Sequence, residues 1–446
     1  MDKPRKSNSR RPAMVPAISR VTVCGYKSVN REQSIEIRPL TILAGGNSSG
    51  KSSIMQPLLL LKQTLEATYD PGPLLLNGAN IRFTSSDQLF SRTSKSSHVD
   101  TFSVGVESEH PFNEKLITYF KKTPAKGLSV PKMVYEQRGK QQVLEKGMAH
   151  EQIVEHLPSF LCDVGSDGDH EARWHVVSRR CFLACELQYW PRRESSFPYS
   201  FPVVDRIADL IQGLIHLPGL RGNPERTYLR TAVGQKFPGT FEKYVGSAVA
   251  QWQASKDLNL RLVCEDLQRL GLTWKVVAIP VDDTQVELTV GRLMRAQRGG
   301  ATDLVNIVDV GFGVSQALPV LVALHVADRG QLVFVEQPEI HLHPRAQVAL
   351  AGILADAARR GVRAVVETHS SLLLLAVQTL VAKDDLDPSL VKVHWFTRSE
   401  DGMTQVHSRD LDDAGAFGDW PEDFGKTELE AEREYLDAAG SHLSKS

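Results

Sequence analysis

The chain has 446 residues, of which 41% are hydrophobic and 24% charged, with a formal net charge of −1. That length exceeds what one core usually organises, so two domains, or one domain with a large insertion, are expected. The near-zero charge supplies no global basic field for nucleic acid, and no apolar run approaches the roughly 20 residues that cross a bilayer, so a cytoplasmic protein with no membrane partner is expected.

Residues 1–16 read as a disordered tail, because Lys3, Arg5, Lys6, Arg10 and Arg11 sit among Ser, Asn and Pro with little to bury. Short strands follow over 18–23 and 34–37, and then the apolar strand 40–44. It runs into Gly45-Gly46-Asn47-Ser48-Ser49-Gly50-Lys51-Ser52, a complete G-x-x-x-x-G-K-S phosphate loop. Glycines let successive N–H groups turn inward around phosphates, Lys51 reaches the β- and γ-phosphates, and the Ser52 hydroxyl is placed to ligate Mg²⁺. Ile54, Leu58, Leu61 and Leu65 recur at helical spacing, which puts the loop at a helix N-terminus where the dipole favours an anion. The nucleotide cradle is therefore read as Gly45, Asn47, Ser48, Ser49, Gly50, Lys51, Ser52 and Ser53. The helix should stop before the turn Tyr69-Asp70-Pro71-Gly72-Pro73.

Phosphate chemistry is lost between about 106 and 225, where 174–190 is strand-like and 204–215 helical. Pro124, Pro131, Pro158, Pro191, Pro198 and Pro202 break any long helix and no heptad runs through, so a compact insertion and not a coiled-coil arm is expected. Five scattered cysteines, Cys24, Cys162, Cys181, Cys185 and Cys264, suit reduced thiols. A zinc site assembled from Cys162, Cys181, Cys185, His170 and His175 matches no common ligand spacing.

Strands over 274–280 and 286–290 precede a helix over 315–326, a buried strand over 331–335, a helix over 345–359, a buried strand over 362–366 and a helix over 371–381. Such alternation predicts an α/β sheet. The strand 333–335 ends in Glu336-Gln337-Pro338-Glu339, acids of the kind that hold Mg²⁺ through its water shell and orient an attacking water. The next strand ends Glu367-Thr368-His369, with His369 placed to sense a γ-phosphate. Asp309 to Gln316 opens a helix with glycines and Ser315, a second anion-binding helix N-terminus. His341 and His343 alternate as H-x-H but lack an identifiable third metal ligand.

Together these motifs resemble the ABC-type ATPases of the RecF, SMC and OLD group, in particular a bacterial branch of predicted ATPases associated with anti-phage defence. The likeness rests on Asn47, Gly25-Tyr26-Lys27-Ser28, the Gly-Phe-Gly-Val-Ser-Gln signature of 311–316, Glu-Gln-Pro-Glu-Ile-His-Leu-His-Pro over 336–344, Glu-Thr-His-Ser over 367–370 and the Trp-Pro segment of 418–424. It implies an α/β P-loop NTPase of ABC type with a mixed sheet and a compact central insertion. Five regions follow: a tail 1–16, an N-terminal lobe 17–105, an insertion 106–225, a C-terminal lobe 226–400 and an extension 401–446. The resemblance further implies ATP and Mg²⁺ as cofactors. It places Ser315 on the γ-phosphate held by another subunit, hence a homodimer or larger homo-oligomer. His341 and His343 then belong to a loop at the dimer interface. Partners implied are a separate effector, nuclease or toxin, and DNA.

In many relatives the acidic strand ends Asp-Glu-Pro, whereas here Glu336 and Gln337 occupy those positions. Glutamine cannot take a proton as a carboxylate does. Either Gln337 positions water while Glu339 is the base, or turnover is slow. Glu336, Gln337, Glu339 and His369 are the catalytic candidates. An ATP-clamped scaffold that stores an effector and a repair ATPase of RecF type stand as alternatives. An OLD-type nuclease is disfavoured because the 77 residues after His369 (446 − 369) carry no adequate acidic cluster.

Overall fold

The structure is a computed structural model describing residues 15–92, 99–109, 111–123, 127–157, 161, 171–190, 204–232, 234–293, 295, 302–418 and 433–436. The expected disorder of 1–14, the candidate ligands Cys162 and His170, Pro124, Pro158, Pro191, Pro198 and Pro202, and Trp-Pro residues 419–424 lie outside the described residues. The first half contains β1 (Ile18–Cys24), β2 (Gln33–Glu36), β3 (Leu40–Gly45), α1 (Lys51–Glu66), β4 (Thr101–Ser108), β5 (Glu114–Thr123), β6 (Gly127–Gln137), β7 (Lys140–Glu145) and α2 (His150–Val154). Next come β8 (Glu171–Arg179), β9 (Phe182–Trp190), α3 (Asp205–Gln212), β10 (Ile215–Leu217) and β11 (Tyr228–Leu229). Then follow α4 (Val245–Ser255), α5 (Leu258–Arg269), β12 (Val276–Pro280), β13 (Gln285–Gly291), β14 (Leu304–Asn306) and α6 (Phe312–Val326). The last part comprises β15 (Leu332–Glu336), α7 (Pro344–Arg360), β16 (Arg363–Glu367), α8 (Ser371–Ala382), β17 (Val391–Arg398) and β18 (Thr404–Arg409).

The central sheet has the order β10-β15-β16-β3-β17-β18, parallel except for the antiparallel edge strand β18. Both faces are covered over its middle, so β3, β15 and β16 are continuously buried runs and not alternating, whereas the edge strand β18 is polar and largely exposed. Val333, Val335, Ala364, Val366, Ile42 and Ala44 face a core shared with α4 to α8. Leu332, Phe334, Val365 and Leu43 face a second core made with α1 and the antiparallel sheet β2-β1-β4-β5-β6-β7. The phosphate-loop strand β3 lies between β16 and β17, so the loop emerges over the middle of the sheet. A smaller sheet, β11-β13-β12 with β14 on β13, completes the described strands together with the β8–β9 hairpin.

Two sequence expectations change. The helix read over 204–215 stops at Gln212, and Ile215–Leu217 is a parallel strand on β15. Ile207, Ile211, Leu214 and Ile215 are all buried at helical spacing, and this spacing conceals the break at Gly213. The boundary drawn at 105/106 falls inside β4, whose partners are β1 and β5, so 106–225 shares a sheet with the N-terminal lobe at one end and the central sheet at the other. That region is β-rich, with β5, β6, β7, β8 and β9 among its described residues, and contains no coiled-coil arm among them.

Candidate functional site

The loop between β3 and α1 depends on backbone angles that side chains disfavour. Gly45 has φ 143° and Gly50 φ 96°, while Ser48 adopts φ 59°. A Cβ at Gly50 would stand 2.0 Å from Thr404 Oγ1. Thr404 braces the loop from behind: its Oγ1 lies 2.9 Å from the Ser49 carbonyl and 2.8 Å from Ser28 Oγ, and its N–H donates to the Ser28 carbonyl at 2.8 Å. Gly46, Asn47 and Ser48 are exposed at the mouth. Lys51 is buried and donates to the carbonyls of Gly45 (3.0 Å) and Gly46 (2.8 Å), and Ser53 closes the first turn with its N–H on the Gly50 carbonyl (3.0 Å). Ser49 Oγ is buried without a protein partner.

Acids converge on this loop because strand register aligns them. Glu336 and Glu367 are partners across β15 and β16. Ser52 Oγ lies 3.0 Å from both carboxylate oxygens of Glu367 and donates to them. Glu336 turns the other way: its Oε1 lies 3.1 Å from His216 Nε2 and its Oε2 accepts from the Gly219 N–H at 3.2 Å. Gln337 has φ 46° and donates its N–H to the Glu367 carbonyl at 2.7 Å. Glu339 Oε1 accepts from Thr368 Oγ1 (2.7 Å) and from the His369 N–H (2.8 Å), whereas its Oε2 is buried and unpartnered.

Electrostatics follow from this crowding. Burial, reinforced by Glu336 and Glu339, pushes Glu367 up to about 7 against the opposing pull of Ser52 and Lys51. Lys51 is lowered by burial, with Glu367 and Glu339 acting against it. His369 is lowered by burial and then by Lys51, and therefore carries little positive charge at neutral pH. The Ser52 hydroxyl and the Glu367 carboxylate are hard-oxygen donors of the kind that suit Mg²⁺, whereas both oxygens of Glu336, the other expected ligand, are held by His216 and Gly219. Lys51 and the exposed loop tip at the α1 N-terminus suit a polyphosphate. The orphaned Glu339 and Ser49 oxygens leave further polar capacity in the same place.

Ser315 sits apart. It is buried in the first turn of α6, its Oγ donates to the Phe312 carbonyl at 3.0 Å, and among the described residues no hydrogen bond joins it to the phosphate loop of its own chain. Phe312 beside it is exposed. The histidine pair divides: His343 caps α7, with Nδ1 accepting from the Arg345 N–H at 3.4 Å, while the His341 ring lies 5.7 Å from that of Phe312. Cys181 and Cys185 are free buried thiols whose titration is raised by desolvation, and His175 is exposed. No group of three metal-ligating side chains occurs among the described residues.

Glu367, Thr404, His216 and Arg221 were not singled out as site residues from sequence. Glu367 carried a signal, since it ends a strand directly before Thr368-His369. The other three lie in segments with no motif, and only the fold brings them to the loop or the acidic strand.

Residues 206–376, well under half of the chain, match the family model described as AAA domain, putative AbiEii toxin, type IV toxin–antitoxin system. No curated protein matches the sequence. Among solved structures, an Smc head bound to the C-terminal winged-helix domain of ScpA is 13% identical with a TM-score of 0.48, covering 89% of this chain and 99% of that one. The SMC head domain from Thermotoga maritima is 9% identical with a TM-score of 0.41, covering 88% and 98%. An Smc head with an extended coiled coil, derived from Pyrococcus furiosus and bound to the C-terminal domain of ScpA, is 11% identical with a TM-score of 0.49, covering 95% and 100%. At these scores the neighbours bear on neither activity nor partner. The phosphate loop on a parallel central sheet, the acids facing it and the AAA-domain match define an α/β P-loop ATPase. No helix among the described residues is long and apolar enough to cross a membrane.

Proposed function

We propose that this ATPase is of the ABC type, works as a homodimer or larger homo-oligomer, and uses its nucleotide state to control an effector protein in bacterial anti-phage defence. The observation that carries the reading is the separation of the two half-sites. Lys51, Ser52, Glu367 and Glu339 converge within one chain, whereas Ser315 is bonded away from them beside the exposed Phe312. A second subunit supplies the missing signature serine at the γ-phosphate.

In this reading Lys51 exchanges the Gly45 and Gly46 carbonyls for the β- and γ-phosphates, and loop N–H groups hold the same oxygens. Ser52 and Glu367 would hold Mg²⁺, joined by Glu336 once it leaves His216 and Gly219, and the ion would supply charge neutralisation on the phosphates. Gln337 orients the attacking water, and the free Oε2 of Glu339 takes its proton as oxygen bonds to the γ-phosphorus and the bond to the β-phosphate oxygen breaks. His369, neutral and bonded through its N–H to Glu339, senses the γ-phosphate and ties its presence to the base.

The family matched over 206–376 is described as a putative toxin of a type IV toxin–antitoxin system, and this supports a defence setting with a partner protein. Magnesium-dependent phosphate release tests the activity, with Lys51→Ala as the zero. Light scattering in saturating ATP tests the dimer, and chains that stay monomeric there remove the shared site. Gln337 favours a second reading, an ATP-clamped scaffold with little turnover, which a rate indistinguishable from Glu339→Gln would support. DNA repair of the RecF type is the third, and an adjoining repair operon instead of a toxin or nuclease gene would support it.

A further inference from the structure

Segment 215–222 touches both halves of the machinery. β10 lies beside β15, and its His216 and the following Gly219 hold the two oxygens of Glu336. Two residues on, the Arg221 guanidinium reaches over the end of the acidic strand: Nη1 donates to the Glu336 carbonyl at 3.2 Å and Nη2 to the Gln337 carbonyl at 3.0 Å. The backbone of the same place faces the signature helix. Gln316, directly after Ser315, donates through Nε2 to the carbonyls of Arg221 (3.0 Å) and Gly222 (3.2 Å).

Arg221 is only 4% exposed, and a buried guanidinium is costly unless it is well bonded. Among the described residues its fork is spent on two main-chain carbonyls and not on a paired carboxylate. Burial lowers it to about 10, opposed by Glu339, Glu242 and Glu336, so it keeps its charge at neutral pH. Its Nε has no protein partner, and Arg221 and Ser315 line one cavity of about 390 Å³. The grip is therefore not locked on every side.

We propose that Arg221 is a positioning residue that couples the signature helix to the acidic strand end, through Gln316 on one side and the Glu336 and Gln337 carbonyls on the other. The proposal rests on the reading of 336–339 as the hydrolytic end and of Ser315 as the contact to a second subunit's nucleotide. Displacement of α6 when Ser315 meets that nucleotide moves the Arg221 and Gly222 carbonyls. The guanidinium then carries the displacement to Gln337 and Glu339, which serve the chain's own nucleotide. Each ATP thus senses the other without any direct contact between the two.

The test uses the full chain with Arg221→Met, Arg221→Lys, Gln316→Leu and the Arg221→Met/Gln316→Leu double variant, measuring kcat, KM and equilibrium ATP affinity. Arg221→Met should lower kcat roughly tenfold or more while affinity stays within about threefold, since displaced catalytic groups cost rate before binding. Arg221→Lys should recover part of the rate, because it keeps the charge and one bond. The double variant should be no slower than Arg221→Met, as expected for two members of one relay.

Wild-type kcat in folded Arg221→Met overturns the proposal. Rate and affinity falling together, with Lys no better than Met, shows a structural strut and overturns it too, as does multiplication of the two single effects. Should Arg221→Met fail to fold, wild-type kcat in both Arg221→Lys and Gln316→Leu is decisive against it. Failure of the underlying reading is separable, because Glu339→Gln would then hydrolyse ATP at the wild-type rate whatever Arg221 does.

Discussion

Glu367 is a buried carboxyl whose folded-state titration, about 7, lies above its ordinary value of 4.5. Below about 4.5 it is protonated whether the chain is folded or not. Between there and 7 the folded state binds the extra proton, so stability falls as pH rises through this window. Glu367→Gln should flatten that part of the pH profile and raise the stability of the nucleotide-free chain at pH 8 by up to ~3 kcal/mol. It should also weaken magnesium-dependent hydrolysis by removing the carboxylate beside Ser52. Melting curves at pH 5 and pH 8 check the first effect, and parallel curves for wild type and variant would contradict it. Lys51→Ala removes the charge opposite the phosphates, and ATP affinity should fall roughly tenfold to hundredfold, the worth of a charge-assisted hydrogen bond. A direct titration on folded protein reads this, and unchanged affinity removes the phosphate-loop assignment.

Among elements, the contact of the phosphate loop with β18 is the least forgiving. Gly50→Ala combines a left-handed backbone, costing about 1–2 kcal/mol, with a Cβ placed against Thr404 Oγ1. It should abolish ATP binding, and adding Thr404→Ala should restore part of it by clearing the hydroxyl. No recovery in the pair would mean that the backbone angle and the remaining contact with Ser28 Oγ decide. At the end of β15, Glu339→Gln should slow phosphate release and Gln337→Glu should raise it if a second carboxylate is what turnover lacks. Two unchanged rates would mean that neither side chain serves the water. Sequence periodicity located α6, β15, α7, β16 and α8 to within a few residues, since β15 and β16 are short apolar runs, α6 and α8 long ones, and α7 repeats its apolar residues at helical spacing, each between turn signals. It merged α3 with β10 because buried isoleucines and leucine kept helical spacing across Gly213. The phosphate loop, Glu339 and His369 were legible because their chemistry is local in sequence. The Ser52–Glu367 contact, the Thr404 brace and the Arg221 grip were not, because each depends on which strands become neighbours.

For the whole molecule, the proposed composite site makes a prediction that no single chain can meet. Ser315→Arg keeps an intact loop and Lys51→Ala an intact signature, so each should be inactive alone, and mixing should restore part of the phosphate release. Heterodimers that form yet hydrolyse nothing would contradict an independently acting shared site. The strand order has a kinetic consequence as well. β3 carries the phosphate loop, yet its two sheet neighbours, β16 and β17, pair Ala364 and Val391 with Leu40 across more than three hundred residues. During synthesis β3 therefore waits with both hydrogen-bonding edges bare until nearly the whole chain has been made. Loop closure of that span is slow, and unpaired edges are where nascent chains associate. The nucleotide cradle is encoded early and assembled late, and a ribosome that stops before residue 363 releases a chain that carries every residue of the phosphate loop and neither of the strands that flank it.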